Sequence, residues 1–289
     1  MNDGSSVAQD ERVNRDRPVT LSLDVERASV FDVYDELLVP LCFQGYAEDL
    51  PTRLRDVSSG DVLVVACGTG VDTRVLADAL PPSVEITATD LVPGMVDRAR
   101  RRGTSREVTW DVADALSLPY DDASFDVIVC QFGAMFFPAK VDAFAEAARV
   151  LRPGGRLELA VWDRIEANDF AAAVATAMRD LFPDDPPAFL DRMPYSYHDP
   201  DAIVADLVAG GFVAPTEIER VGHRALAACP EVVAGAFCGG TPLRDQLQSG
   251  GAERLGRALD GAARALADRF GGADLTGRTA ALVATAVNG

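Results

Sequence analysis

Two patterns of apolar residues alternate along this chain. Short runs such as Val62–Val65 and Val127–Val129 are aliphatic without interruption and have the length of strands buried on both faces. Between them, apolar residues recur at three- and four-residue spacing, which predicts amphipathic helices. From Asp61 the order reads strand 62–66, helix 71–80, strand 84–89, helix 94–102, strand 107–111, strand 125–132, helix 139–150 and strand 156–161. A helix at 200–209 then leads through Gly210-Gly211 to a strand near 212–222, and a last strand spans 279–287. Strands alternating with helices imply right-handed crossovers and a parallel sheet. The expected fold is α/β: a doubly wound, mostly parallel, seven-stranded Rossmann-like sheet with helical lid insertions.

Around that sheet the pattern predicts three further regions. Residues 1–20 are polar and charged and read as a disordered tail. Residues 21–60 form a helical cap, with a break expected at Pro40 and an apolar face of Tyr34, Leu37, Leu38, Leu41, Phe43 and Tyr46. The sheet domain, 61–289, carries insertions at about 165–198 and 229–272. Both leave from the carboxyl ends of strands, where ligands of such sheets bind. They read as a lid over a substrate cavity, or as packing that stabilises the sheet or builds a homodimer interface.

The candidate chemistry gathers at the same strand ends. The first strand runs into Ala66-Cys67-Gly68-Thr69-Gly70, and Asp90-Leu91 closes the second strand twenty residues after Gly70. Glycines let a backbone approach a ligand closely, and an acid at the second strand's tip accepts ribose hydroxyls. A dinucleotide site wants a third glycine where this chain has Thr73, and a phosphate-binding Gly-Lys-Ser/Thr ending is absent. Asp114 would lie just beyond the third strand, placed to accept from an adenine amino group, with the Ala115 N–H facing a ring nitrogen. Gln131 and Phe132 end the fourth strand, beside the pocket's far end.

At these residues the chain resembles the class I S-adenosylmethionine-dependent methyltransferases, most of all the small-molecule branch that holds the ubiquinone/menaquinone-biosynthesis enzymes. Four motifs occur in that family's order: Ala66-Cys-Gly68-Thr-Gly70, Thr89-Asp90 with Pro93-Gly94-Met95, Asp114-Ala115 followed by Leu118-Pro119 and Ser124-Phe125-Asp126, and Leu151-Arg-Pro153-Gly154-Gly155. The resemblance is strong from about 60 to 162. It implies S-adenosyl-L-methionine as cofactor, held by Tyr34, Ala66, Cys67, Gly68, Gly70, Asp90, Leu91, Met95, Asp114, Ala115, Gln131 and Phe132. It also implies transfer of a methyl group to O, N or C of a small, largely apolar metabolite. One position departs from the family: Val64 stands where an acid normally orders the glycine loop and favours the methionine ammonium. That leaves either weaker cofactor binding or compensation by nearby backbone carbonyls. The same fold repurposed for a non-methylating reaction, such as a cyclisation, is the alternative.

Charge narrows the partners. A formal charge of −18 argues against nucleic acid and against an anionic membrane surface. No apolar run approaches the length of a membrane span. Five scattered cysteines fit small buried hydrophobes in a reducing, cytoplasmic setting, and no His/Cys cluster has metal-ligand spacing. His198, in the presumed lid, leads as a candidate general base, against a helix-capping role; His223 follows it. Thr241 and Arg244 are candidates for binding a substrate oxygen, though a turn and helix start explain them as well.

Overall fold

Why Val62–Val65 needs no polar residue is explained by its neighbours. The computed structural model describes residues 17–213, 217–251 and 253–289. In it, β1 (Gly60–Val65) lies between β2 (Val84–Asp90) and β4 (Phe125–Gln131), parallel to both. Val62 and Val64 join a core with Leu76 and Ala77 of α3 (Val71–Ala79). Leu63 and Val65 join the opposite core with Ile128, Leu157, and Phe144 and Ala147 of α5 (Lys140–Val150). A strand covered on both faces has no solvent side to show.

The sheet has seven strands in the order β3-β2-β1-β4-β5-β7-β6. Here β3 is Thr109–Val112, β5 Leu151–Trp162, β6 Glu217–Ala227 and β7 Leu275–Val287. Only β7 runs against its neighbours, pairing antiparallel with both β5 and β6. α4 (Pro93–Arg102) returns the chain from β2 to β3. Strand order reverses between β1 and β4, so the carboxyl ends of β1, β2 and β4 surround the crevice where such sheets hold ligands.

The last three strands depart most from their expected bounds. β5 begins at Leu151 because Phe125 pairs with Leu151 before the register shifts and Val127 meets Arg156. β7 begins at Leu275, since its first residues pair with His223–Ala227 of β6. Among the described residues β6 spans Glu217–Ala227, five residues beyond the expected end at 222, and Phe212 is fully buried in the core. Of the expected tail, residues 1–16 lie outside the described residues. Residues 17–20 depart from it, because Val19 bridges Ala227 and bonds the backbone of Leu226 and Ala228.

The cap is also more continuous than Pro40 suggested. α1 (Val30–Val33) runs into a π-helical stretch, Tyr34–Phe43, and then into α2 (Gln44–Arg53). Proline lacks the N–H and crowds the carbonyl of the preceding turn; the wider π turns accommodate it without ending the helix. Charge ties this segment to the sheet domain. Asp35, whose side chain is wholly buried, meets Arg98 at 3.0 Å and Arg102 at 3.2 Å, and Arg98 also reaches Asp32 and Glu36.

The insertions are helical. After β5 come α6 (Asp169–Leu181), α7 (Phe189–Arg192) and α8 (Pro200–Ala209). Between β6 and β7 lie α9 (Pro230–Gly239), α10 (Leu243–Ser249) and α11 (Arg254–Phe270). α11 packs on α6 and α9, and α9 packs on the π-helical stretch. Buried Arg244 donates to the carbonyls of Val25, Glu26, Ala28 and Gly239. Its guanidinium thereby fastens the cap to the second insertion through Nη1 and Nη2. Thr241 is likewise committed, donating to the Phe237 carbonyl and accepting from the Leu243 N–H.

Candidate functional site

The glycine loop sits at the end of β1 because residues there must leave the sheet at once. Ala66, Gly68 and Gly70 all have left-handed backbones, with φ of 55°, 54° and 85°. A side chain at Gly70 would also strike Trp110 at 2.9 Å and Ala99 at 3.1 Å. Ala66 adopts the same conformation with a Cβ, at a cost of about 1 kcal/mol. Phe132, at the end of β4, is a second non-glycine residue of this kind, with φ 56°. The two strained turns touch: a Cβ on Gly133 would stand 2.4 Å from that of Ala66.

Asp90 organises the polar side of the crevice. Its Oδ2 accepts from the Gly68 N–H at 2.8 Å and its Oδ1 from the Val92 N–H at 2.9 Å. Burial pushes its carboxyl up, while those two N–H groups pull it down. Each oxygen keeps a further lone pair, so the carboxylate is held in place and still able to accept. Leu91 follows with 62% of its surface exposed, an apolar platform at the strand's tip, and Met95 is half-buried in the first turn of α4. Asp114 sits in a tight turn, its Oδ1 accepting from the Leu116 N–H, and the Ala113 N–H bonds the Asp90 carbonyl. That bond fixes the Asp114–Ala115 turn against the end of β2.

Tyr34 reaches this loop from the cap: a Cβ on Gly68 would lie 3.4 Å from its hydroxyl. Burial pushes that phenol up, with Asp90 and Asp72 adding to the effect, so it remains a protonated donor. Cys67 is a buried thiol pushed up by burial, inert rather than nucleophilic. Three buried polar atoms around the crevice have no partner among the described residues: Thr69 Oγ1, Thr73 Oγ1 and Gln131 Oε1. Interior polar groups are seldom left so, and a ligand that donates and accepts hydrogen bonds would answer Thr69 and Gln131.

At the β4–β5 end, aromatic rings replace polar groups. Phe132 stacks on Trp162 with centroids 4.1 Å apart. Phe43 and Tyr46 meet both rings at 5.1 to 5.5 Å, and Tyr195 approaches Trp162 at 6.0 Å. From the first insertion, Phe189 stacks on Phe136 at 6.2 Å. Gln131 lies beside this box, its Nε2 3.5 Å from the Tyr46 carbonyl. In the sequence Phe43 reads only as part of the cap's apolar face, and Trp162 carries no signal beyond being an aromatic residue at the tip of β5. Nothing in the spacing shows that these segments converge.

The two histidines have different surroundings. His198 is exposed and its Nδ1 bonds the Tyr195 carbonyl at 2.8 Å, just ahead of the N-cap Asp199 of α8. That is a turn-stabilising position. His223 is half-buried on β6, with its Nε2 2.7 Å from Asp49 Oδ2 and its ring edge-on to Tyr46 at 4.5 Å. Tyr46 in turn donates to Thr279 at 3.0 Å. Among the described residues no group of acids, cysteines and histidines could hold a metal ion, and no helix is long and apolar enough to cross a membrane.

Comparison with known proteins agrees with this layout. Residues 62–155 match the methyltransferase domain family. The demethylmenaquinone methyltransferase of Deinococcus radiodurans is 39% identical over 124 residues, covering 42% of this chain and 51% of that protein. The 27-O-demethylrifamycin SV methyltransferase of Amycolatopsis mediterranei is 34% identical over 147 residues, covering 44% and 53%. The chain thus spans about half the length of the curated relatives it matches. Among solved structures, the YcgJ protein of Bacillus subtilis superposes with a TM-score of 0.52 at 20% identity, covering 84% of this chain and 98% of that one. A [4+2]-cyclase superposes with a TM-score of 0.50 at 23% identity, covering 92% and 85%. Those superpositions show the fold alone. Over 62–155 the chain matches a methyltransferase domain, and it is similar there to the methyltransferases of quinone biosynthesis.

Proposed function

We propose that the chain binds S-adenosylmethionine and methylates a small, largely apolar metabolite. The observation that carries this reading is Asp90, held by the Gly68 and Val92 N–H groups at the tip of β2 with lone pairs to spare. The orphaned Thr69 Oγ1 and Gln131 Oε1 fit such a cofactor, which brings donors and acceptors to the same crevice. When bound, the cofactor supplies an already activated methyl group on sulfur. Asp90 would accept from the ribose hydroxyls. Leu91 and Met95 would cover the adenine, and Asp114 and the Ala115 N–H would read its edge. Tyr34, Ala66, Cys67, Gly68 and Gly70 would line the sulfur and methionine side, with Gln131 and Phe132 facing them.

The rest of the work is alignment and exclusion of water. The box of Phe43, Tyr46, Phe132 and Trp162 supplies apolar, flat walls next to the cofactor end, which suits a largely apolar acceptor. For an acceptor that must lose a proton, His223 is favoured over His198. Asp49 would hold the His223 ring in one orientation, whereas the His198 ring faces solvent. Five free cysteines suit a reducing compartment, and we place the protein in the cytoplasm on that ground. The test is calorimetric titration with S-adenosylmethionine and S-adenosylhomocysteine, followed by a substrate screen read by product mass. Binding at micromolar strength and a product heavier by one methylene are expected. A folded, ligand-free protein that binds neither would overturn the reading.

A further inference from the structure

One buried acid has no role in the site as described. Asp72 lies in the first turn of α3, two residues beyond Gly70, and is only 6% exposed. Among the described residues its carboxylate receives no side-chain hydrogen bond and makes no ion pair within contact distance. Its nearest cation is already committed: Arg74 donates to the Thr69 carbonyl at 2.7 Å and leans on Asp35 at 3.8 Å. A carboxylate taken out of water without a partner is costly, and a cation is the natural remedy.

The place of Asp72 says which cation. It shares the glycine-loop side of the crevice with Asp90, close enough that both charges act on the Tyr34 hydroxyl and the Cys67 thiol. The unpartnered Thr69 and Thr73 hydroxyls flank it in sequence and are themselves buried. Beneath α3, Val64 is 0% exposed in the core that also holds Leu76 and Ala77, so the end of β1 offers the crevice no charge.

Resting on the cofactor reading above, we propose that Asp72 supplies the carboxylate that binds the ammonium group of the cofactor's methionine moiety. The negative charge is thus moved from the strand to the first turn of the following helix. There it is also favoured by the N-terminal end of the helix dipole. Contact with the ammonium would satisfy the oxygens that the protein leaves unpaired.

Burial pushes the Asp72 carboxyl up to about 7, with Arg74 lowering it only in part. Only the ionised form attracts an ammonium, so cofactor binding should release a proton near neutrality and weaken as the pH falls. The titratable and charged groups that interact with Asp72 are Arg74 on its own helix, Tyr34 from the cap, Cys67 in the loop and Cys130 from β4. Burial holds the phenol and both thiols protonated across this range, and Asp90 serves the ribose of any nucleoside.

The experiment compares S-adenosylhomocysteine with 5′-methylthioadenosine, which keeps the nucleoside and lacks the amino-acid group. Wild-type protein and Asp72→Asn are titrated with each ligand by calorimetry at pH 7.5, roughly half a unit above the buried carboxyl. Asp72→Asn should weaken S-adenosylhomocysteine by about tenfold or more and leave 5′-methylthioadenosine within about twofold. Equal effects on both ligands, or on neither, would overturn the assignment. A wild-type protein that binds neither ligand would instead sink the cofactor reading. Should the variant not fold, the wild type decides. Lowering the pH from about 7.5 to about 5.5 must weaken S-adenosylhomocysteine more than 5′-methylthioadenosine, with proton release seen in two buffers of different ionisation enthalpy. Parallel pH profiles would overturn it.

Discussion

At the β1–β2 end of the crevice, the groups that face a ligand are main-chain N–H groups, hydroxyls and carboxylates within a few residues of a glycine. At the β4–β5 end, five rings meet from the cap, the end of β4, β5 and the first insertion. The first region is made by local geometry: Gly68 and Gly70 take left-handed backbones, and Asp90 holds the loop through the Gly68 N–H and its own turn through the Val92 N–H. The second is made by packing, with Phe132, Trp162, Phe43 and Tyr46 holding one another at 4.1 to 5.5 Å. Polar groups at fixed positions recognise a fixed ligand, whereas an aromatic wall accepts a range of apolar shapes. The difference suggests that cofactor and acceptor are selected by separate parts of the rim.

Substitutions on the two sides should therefore fail in different ways. The largest effect on stability is expected from Trp162→Ala, which removes the ring that touches Phe43, Tyr46, Phe132 and Tyr195. A loss of about 3–5 kcal/mol in chemical denaturation is expected. Nucleoside binding should change little, and a loss of it as large as that of folding would show that the two regions are one. Asp90→Ala is the reverse case: about a hundredfold weaker S-adenosylhomocysteine binding by calorimetry, with the Gly68 and Val92 N–H groups left unpaired.

The histidines sharpen the comparison on the acceptor side. With an acceptor that must lose a proton, His223→Ala should lower kcat by about a hundredfold, a general-base effect, and His198→Ala by less than about twofold. Equal losses would return His198 to consideration. The smallest effect belongs to the strained turn. Ala66→Gly removes a Cβ from a φ of 55° and should raise stability by about 0.5–1 kcal/mol, measured as an increase in the denaturation midpoint. A decrease would mean that the Ala66 methyl contributes more through its packing over Gly133 than its backbone strain costs.

Much of this was legible in the chain before any coordinates. The strands from 62 to 161 and the helices between them follow from burial on both faces, which writes itself as uninterrupted aliphatic runs. The glycine loop, Asp90 and the Asp114–Ala115 turn were legible because each acts within a few residues of its own strand end. Pro40 misled, since its missing N–H signals a break and not the π-helical turns that absorb it. His198 and His223 were ranked by position in sequence alone. The contact that separates them, Asp49 with His223, joins residues 174 apart.

Local sequence determined the seven-stranded sheet, its carboxyl-end crevice and the polar half of the site, because strand ends, glycine turns and capping acids obey short-range rules. Tertiary structure alone decided the aromatic box, the clamping of the cap by Arg98 and Arg102 on Asp35, and the isolation of the Asp72 carboxylate. Each of these depends on which distant side chains come together, or fail to, and neither periodicity nor composition encodes that.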